Sequence, residues 1–222
     1  MLFYKKYSYL FFLLIFQLNV FSEVAETNPW QLKKFGNGIS IYTRTTENSK
    51  YKELKSVFQI KTSLSSIIAL LNDFESYPQW VYRCEKSKAI KKDSDKHLIR
   101  YQSIMAPWPV DNRDMVLDVN SYQDEKTKIV YQKVICLPDY ISPVAGHVRI
   151  REFRAQWTLK PLKNGMVEVE YELLVNPGGN IPAWIVNMAV VDGPFETSVN
   201  MKEWLMKDKY QKTVYSFITN PE

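Results

Sequence analysis

The sequence predicts an α+β domain in which a curved antiparallel sheet packs against one long C-terminal helix, and two patterns predict it. From 85 to 174 apolar residues recur with period two, between turn signals at Asp93-Ser94-Asp95, Asp124-Glu125-Lys126, Pro138-Asp139 and Asn164-Gly165. After Asn176-Pro177-Gly178-Gly179 the chain becomes apolar nearly all round over 183–191, as a helix covered on every side does. No repeat, low-complexity tract or linker interrupts the chain of 222 residues, so 27–218 reads as one domain.

Taken in order, Gly36-Asn37-Gly38 is a turn, and Ile39, Ile41 and Thr43 then alternate with polar neighbours in a half-buried strand. Residues 54–61 form a second strand. Ser63 caps a helix whose Leu64, Ile67, Ile68 and Leu71 fall at i, i+3, i+4 and i+7, ending near Phe74. Tyr77-Pro78-Gln79-Trp80-Val81 is a turn or short helix rich in large rings. Segments 86–92, 97–105, 113–123, 127–135, 147–161 and 165–175 read as consecutive hairpin-connected strands. Asn180 caps the last helix, 181–206, with Pro182 in its first turn, and Asp192-Gly193-Pro194 should kink or break it. That pattern fits a plain core helix or the roof of a cavity.

Composition excludes disorder and a polytopic membrane protein, with 45% hydrophobic and 24% charged residues. Aromatics reach 14%, which suits a bulky core or a cavity lining. Lysine and arginine are scattered and interleaved with acids even at their densest, 86–96 and 202–212, so no continuous basic face is offered to nucleic acid. His97 and His147 lack ligand spacing, and Cys84 and Cys136 lack a motif, leaving open one disulfide or two free thiols.

The first 22 residues have the order of a secretory signal: Lys5 and Lys6 with no acid, an apolar run of about 15 residues, shorter than the roughly 20 of a spanning helix, then Val20-Phe21-Ser22 before a cut ahead of Glu23. Without the two lysines, 27 basic residues face 24 acids. The expectation is an exported protein, periplasmic or secreted, with an uncleaved N-terminal anchor as the alternative.

The stretch Ala106-Pro107-Trp108-Pro109-Val110-Asp111-Asn112-Arg113-Asp114, followed by Asn176-Pro177-Gly178-Gly179-Asn180-Ile181-Pro182-Ala183-Trp184-Ile185-Val186-Asn187, resembles the START family of lipid-transfer domains, bacterial type. Segments 74–82, 146–151, 157–162 and 191–197 add to a likeness that spans 30–210. The resemblance implies the helix-grip fold, an internal apolar tunnel for one lipid, and neither cofactor nor metal. The expectation is a monomer with transient membrane contact that holds one apolar ligand, a phospholipid, fatty acid or sterol-like molecule, for transfer or sensing in the cell envelope. In this family an Arg-Asp pair recurs where Arg113 and Asp114 stand. Some sterol-binding members place a carboxylate on the preceding strand, which 98–105 lacks.

Arg113, once buried, needs a carboxylate, several acceptors or a lipid head group, with Asp111, Asp114 and Glu152 as candidate partners. Trp157, Tyr171 and Leu173 share a strand face, and Trp184, Ile185 and Met188 would face inward from the helix. Met201, with Met188 and Met206, suits a lining that accepts variable chains. Tyr101, Trp108 and Tyr131 complete the ligand-binding set. Tyr77 and Trp80 are loop anchors or membrane-touching rings at an entrance. Opening would displace the Pro194 helix or the loop 137–145. The competing readings are an enzyme of the polyketide cyclase type, relying on Arg113, Tyr101, Tyr131 or a buried carboxylate, and an envelope assembly component.

Overall fold

The structure is a computed structural model that describes residues 28–220 except 48, 180 and 182, and leaves out the side chains of 183–185 and 187–189. Its strands are β1 (Gln31–Gly36), β2 (Ile39–Thr46), β3 (Ser49–Lys61), β4 (Cys84–Lys92), β5 (His97–Ile104), β6 (Asn112–Gln123), β7 (Val130–Cys136), β8 (His147–Arg149), β9 (Glu152–Pro161) and β10 (Met166–Asn176). The helices are α1 (Leu64–Asn72), α2 (Ala183–Trp204) and α3 (Asp208–Gln211), with a 3-10 turn at Phe74–Gln79. The strands form one sheet in the order β1-β2-β3-β10-β9-β7-β6-β5-β4, with β8 off that path against β6. Every pairing is antiparallel except that of β6 with β8.

The expected meander is present, with three differences. The N-terminal β1 carries no sequence signal of its own; its residues are mostly exposed, and it is held by pairing with β2. The expected strand 147–161 is two strands. β7 leaves β6 at the Leu117↔Cys136 pair, freeing the edge of Asn112, Arg113 and Asp114, and β8 fills that edge in parallel. The chain then turns at Ile150, whose N–H donates to the Asp114 carbonyl, and β9 continues between β7 and β10. Third, α2 runs unbroken through Pro194, where a kink or break is expected. The Pro194 carbonyl accepts from the Ser198 hydroxyl at 2.8 Å, and Ser198 meets Ser56 of β3 at 2.9 Å, so this turn is fastened to the sheet.

Helix α1 follows its sequence signal: the Ser63 hydroxyl accepts from the Ser66 amide at 3.0 Å, and Leu64, Ile67, Ile68 and Leu71 are buried in the main core. Helix α2 lies across β2 and β3. Lys34 pairs with Asp192 at 2.7 Å, and the Lys202 ammonium donates to the Asn37 carbonyl at 2.9 Å. A Cβ on Gly36 would stand 3.2 Å from the Phe195 ring, so glycine lets the end of β1 approach the helix. The cap Asn180, Pro182 and the leader 1–22 lie outside the described residues. Cys84 and Cys136 are free thiols on β4 and β7, which are not neighbours in the sheet.

On the outer face, Arg149 of β8 clamps Asp114 with two hydrogen bonds of 2.9 Å. It also donates to the carbonyls of Pro138, Ile141 and Ser142. Loop 137–145 is thereby fastened over Ile99, Tyr101 and Val116, which form a second small core with Leu137, Ile141 and Val144. It packs on the convex side of the sheet, which separates it from the opening role expected of it. The Asp114 side chain is fully buried and that of Arg149 is 7% exposed. Asp114→Ala leaves a buried guanidinium without its carboxylate and should cost about 3–5 kcal/mol, read as a shift of the urea midpoint. A loss under about 1 kcal/mol would mean that the loop carbonyls alone satisfy Arg149.

Candidate functional site

Between α2 and the concave face of the sheet lies a cavity of about 270 Å³. Its walls follow from strand periodicity. Arg100, Gln102 and Ile104 of β5, Arg113 and Met115 of β6, Phe153 and Trp157 of β9, and Tyr171, Leu173 and Val175 of β10 fall on alternate positions and so on one face. Val186, Val190, Pro194 and Thr197 of α2 close the other side, with Tyr77 and residues 80–83 at one end and 105–107 with Val110 at the rim. A Cβ on Gly193 would be 3.2 Å from the Tyr82 ring, so this glycine sets how closely the helix approaches that end.

Of the residues expected to bind ligand, Arg113, Trp157 and Tyr171 are on this wall. Trp157 and Tyr171 are register partners on β9 and β10 and stack with centroids 4.1 Å apart. Tyr101 is on the opposite face of β5, within the outer core with Ile99 and Val116. Tyr131 also points out of the concave face and stacks on Tyr122 at 5.1 Å, while its neighbour Gln132 is the buried one. Trp108 sits in the β5–β6 loop at 90% exposure. Met201 is fully buried in the main core, below the part of α2 that meets the cavity, and Met206 is exposed. The side chains of Trp184, Ile185 and Met188 lie outside the described residues.

Arg113 is held by the backbone. Its guanidinium donates to the carbonyls of Asp111, Pro177 and Gly178, the last two at 3.3 Å. None of the three expected acids pairs with it through a carboxylate: Asp114 is taken by Arg149, and Glu152 accepts from Asn176. Its place is to tie β6 to the turn that leads into α2, where Gly178 and Gly179 both have φ of +66° and where Gly179 lies against its Nη2. Tyr77 and Trp80 are anchors as well as wall. They are 5% and 2% exposed, with the Tyr77 hydroxyl donating to the Leu71 carbonyl and the Trp80 indole to Ser76, which removes them from any membrane contact.

The sequence reading missed Arg100 and Gln102. Both are buried on the inward face of β5, in phase with Leu98. Strand parity carries the signal: Arg100 and Gln102 alternate with Tyr101, whose ring lies on the outer face. Burial pushes the Tyr77 and Tyr171 phenols above the ordinary tyrosine value, while the positive charge of Arg100 pulls both the other way. Among the described residues no Asp, Glu, His or Cys lines the cavity, and no group of three or more such residues is arranged to hold a metal ion.

Residues 60–192 match the family model described as polyketide cyclase/dehydrase and lipid transport. The chain is 34% identical to an uncharacterized protein of Pseudomonas aeruginosa, covering 78% of this chain and 85% of that one. It is 29% identical to phosphatidylcholine transfer protein of Mus musculus, over 74% of this chain and 78% of that one. A crystal structure of a STAR-related lipid transfer protein fragment from Xanthomonas axonopodis superposes with a TM-score of 0.74 at 32% identity, covering 80% of this chain and 99% of that one.

If Arg113 fastens the turn, Arg113→Met should lower stability by about 1–3 kcal/mol by leaving carbonyls unpaired, and should speed hydrogen exchange of the Gly178 amide. Unchanged exchange at that amide would remove Arg113 from this role.

Proposed function

The chain belongs to the START-related lipid-transfer family, and from that premise we propose that it carries one lipid, as a monomer, in the cavity between α2 and the concave sheet. The observation that carries this reading is the wall itself. Trp157, Phe153, Leu173, Val175, Met115 and Val190 give it apolar surface from four elements, and the inward polar side chains are few. Such a lining favours removal of an acyl chain from water in proportion to the area covered.

An enzyme on the same fold needs a positioned proton-transfer group. The buried phenols of the described wall, Tyr77 and Tyr171, are held above the ordinary tyrosine range and do not serve as bases near neutral pH. Transfer rather than storage is favoured by the rim: Trp108 is 90% exposed and Met105 46% exposed in the loop whose Ala106, Pro107 and Val110 border the cavity. An apolar ring there reaches the interface of a bilayer while the cavity mouth faces it. Export through residues 1–22 belongs to the same proposal and places this transfer in the cell envelope.

Leu173→Trp places an indole inside the cavity from the middle of β10. It should cut the amount of bound lipid by about tenfold or more while the far-UV spectrum is kept and stability falls by no more than about 1–3 kcal/mol. Bound lipid is read by extraction and mass spectrometry after incubation with vesicles. A folded variant that loads as much lipid as the unmodified chain would place the ligand elsewhere.

A further inference from the structure

Three arginines line the cavity, in different states: Arg83, at the end formed by residues 80–83, donates through Nε to the Tyr82 hydroxyl at 3.2 Å. Arg113 has each guanidinium nitrogen on a backbone carbonyl. Arg100 is only 8% exposed, and its Nε and Nη1 are shielded from solvent with no hydrogen-bond partner. Its guanidinium lies 4.5 Å from the Tyr77 ring and 5.2 Å from the Phe74 ring, contacts that offset only part of the cost of burying a charge. Among the described residues no carboxylate pairs with it, and none lines the cavity. The helix residues 183–185 and 187–189, whose side chains lie outside the description, include no Asp or Glu in the sequence. Gln102, on the same face two residues along, adds an amide to the same wall.

A buried cation on the wall of an apolar cavity, with no carboxylate beside it among the described residues, is a half-built anion site. Resting on the lipid-carrier reading, we propose that the cavity selects an anionic amphiphile, whose phosphate or carboxylate is received by Arg100 with Gln102 beside it while its chain lies along Trp157, Leu173 and Met115. The acidic group then supplies the counter-charge that the fold leaves out, and does so away from competing water, where charge-assisted bonds are strong. The aromatic rings around Arg100 hold the guanidinium in place before the ligand arrives.

The test loads the full chain from alkyl maltoside micelles with two matched pairs: phosphatidylglycerol against diacylglycerol of the same acyl chains, and oleate against oleyl alcohol. Bound lipid is quantified by extraction and mass spectrometry. The unmodified chain should hold the acidic member of at least one pair about tenfold or more over its neutral counterpart, the discrimination one charge-assisted hydrogen bond provides. The pair that shows the larger ratio identifies phosphate or carboxylate as the source of the charge. Arg100→Met should bring the ratio near one, keep loading of the neutral lipids, and melt no lower than the unmodified chain when empty, because it removes an unpaired buried charge. Arg100→Lys should keep part of the preference. Loading of both members without preference, or a preference that survives in Arg100→Met, overturns the anion site and leaves the carrier reading standing. So does an Arg100→Met chain that fails to fold or melts well below the original, since Arg100 would then be holding the fold. Failure of the folded unmodified chain to load any of the four lipids overturns the carrier reading and the anion site with it.

Discussion

A curved sheet of ten strands has to bury its concave face, and the described chain supplies one long helix to do it. Helix α2 leans on β2 and β3, where Ser56 meets Ser198, Lys34 meets Asp192 and Gly36 makes room for Phe195. The concave faces of β5, β6, β9 and β10 therefore stand away from the helix, and the space left between them is the cavity. Short loops do not fill it: the longest one, 137–145, is anchored on the convex side by Arg149.

The Asn112-Arg113-Asp114 segment of β6 shows how the fold keeps that space open. Strand periodicity sends neighbouring side chains to opposite faces. Arg113 goes to the cavity side and fastens the turn at 177–179 ahead of α2, while Asp114 goes to the outer side and, through Arg149, fastens loop 137–145. One dipeptide holds the entry to the roof and the cover of the back wall. Arg100, on the neighbouring strand, has no such acceptor for its Nε and Nη1 among the described residues.

Much of this was legible in the sequence. The period-two run and its Asp, Asn and Gly turns located most of the meander; Asn37-Gly38 and Asn164-Gly165 all take the positive φ such turns require. The Ser63 cap with its i, i+3, i+4 apolar stripe located α1. What stayed hidden depends on partners distant in the chain. Nothing in 147–161 announces that its first residues cross to a vacated edge of β6, because that edge exists only once β7 has turned away. The continuity of α2 through Pro194 rests on tertiary fastening that local propensity does not contain. At the site, residue type was a poor guide and phase a better one: ring size favoured Tyr101 and Tyr131, whereas Leu98, Arg100 and Gln102 alternate with Tyr101 and face inward. Arg113 was legible as special, yet its three carbonyl partners come from residues 111, 177 and 178, and only the folded chain brings them together.

On the lipid-carrier reading, a single lipid fills the space between α2 and strands β5, β6, β9 and β10. Native mass spectrometry of the full chain, purified gently from the cells that make it and followed by lipid extraction, tests it most directly. A single adduct of lipid mass at one per chain, lost on organic extraction and restored by incubation with the extracted lipid, is the predicted result. A folded chain that carries no adduct, and stays empty after incubation with the mixed lipids of the same cells, would contradict it.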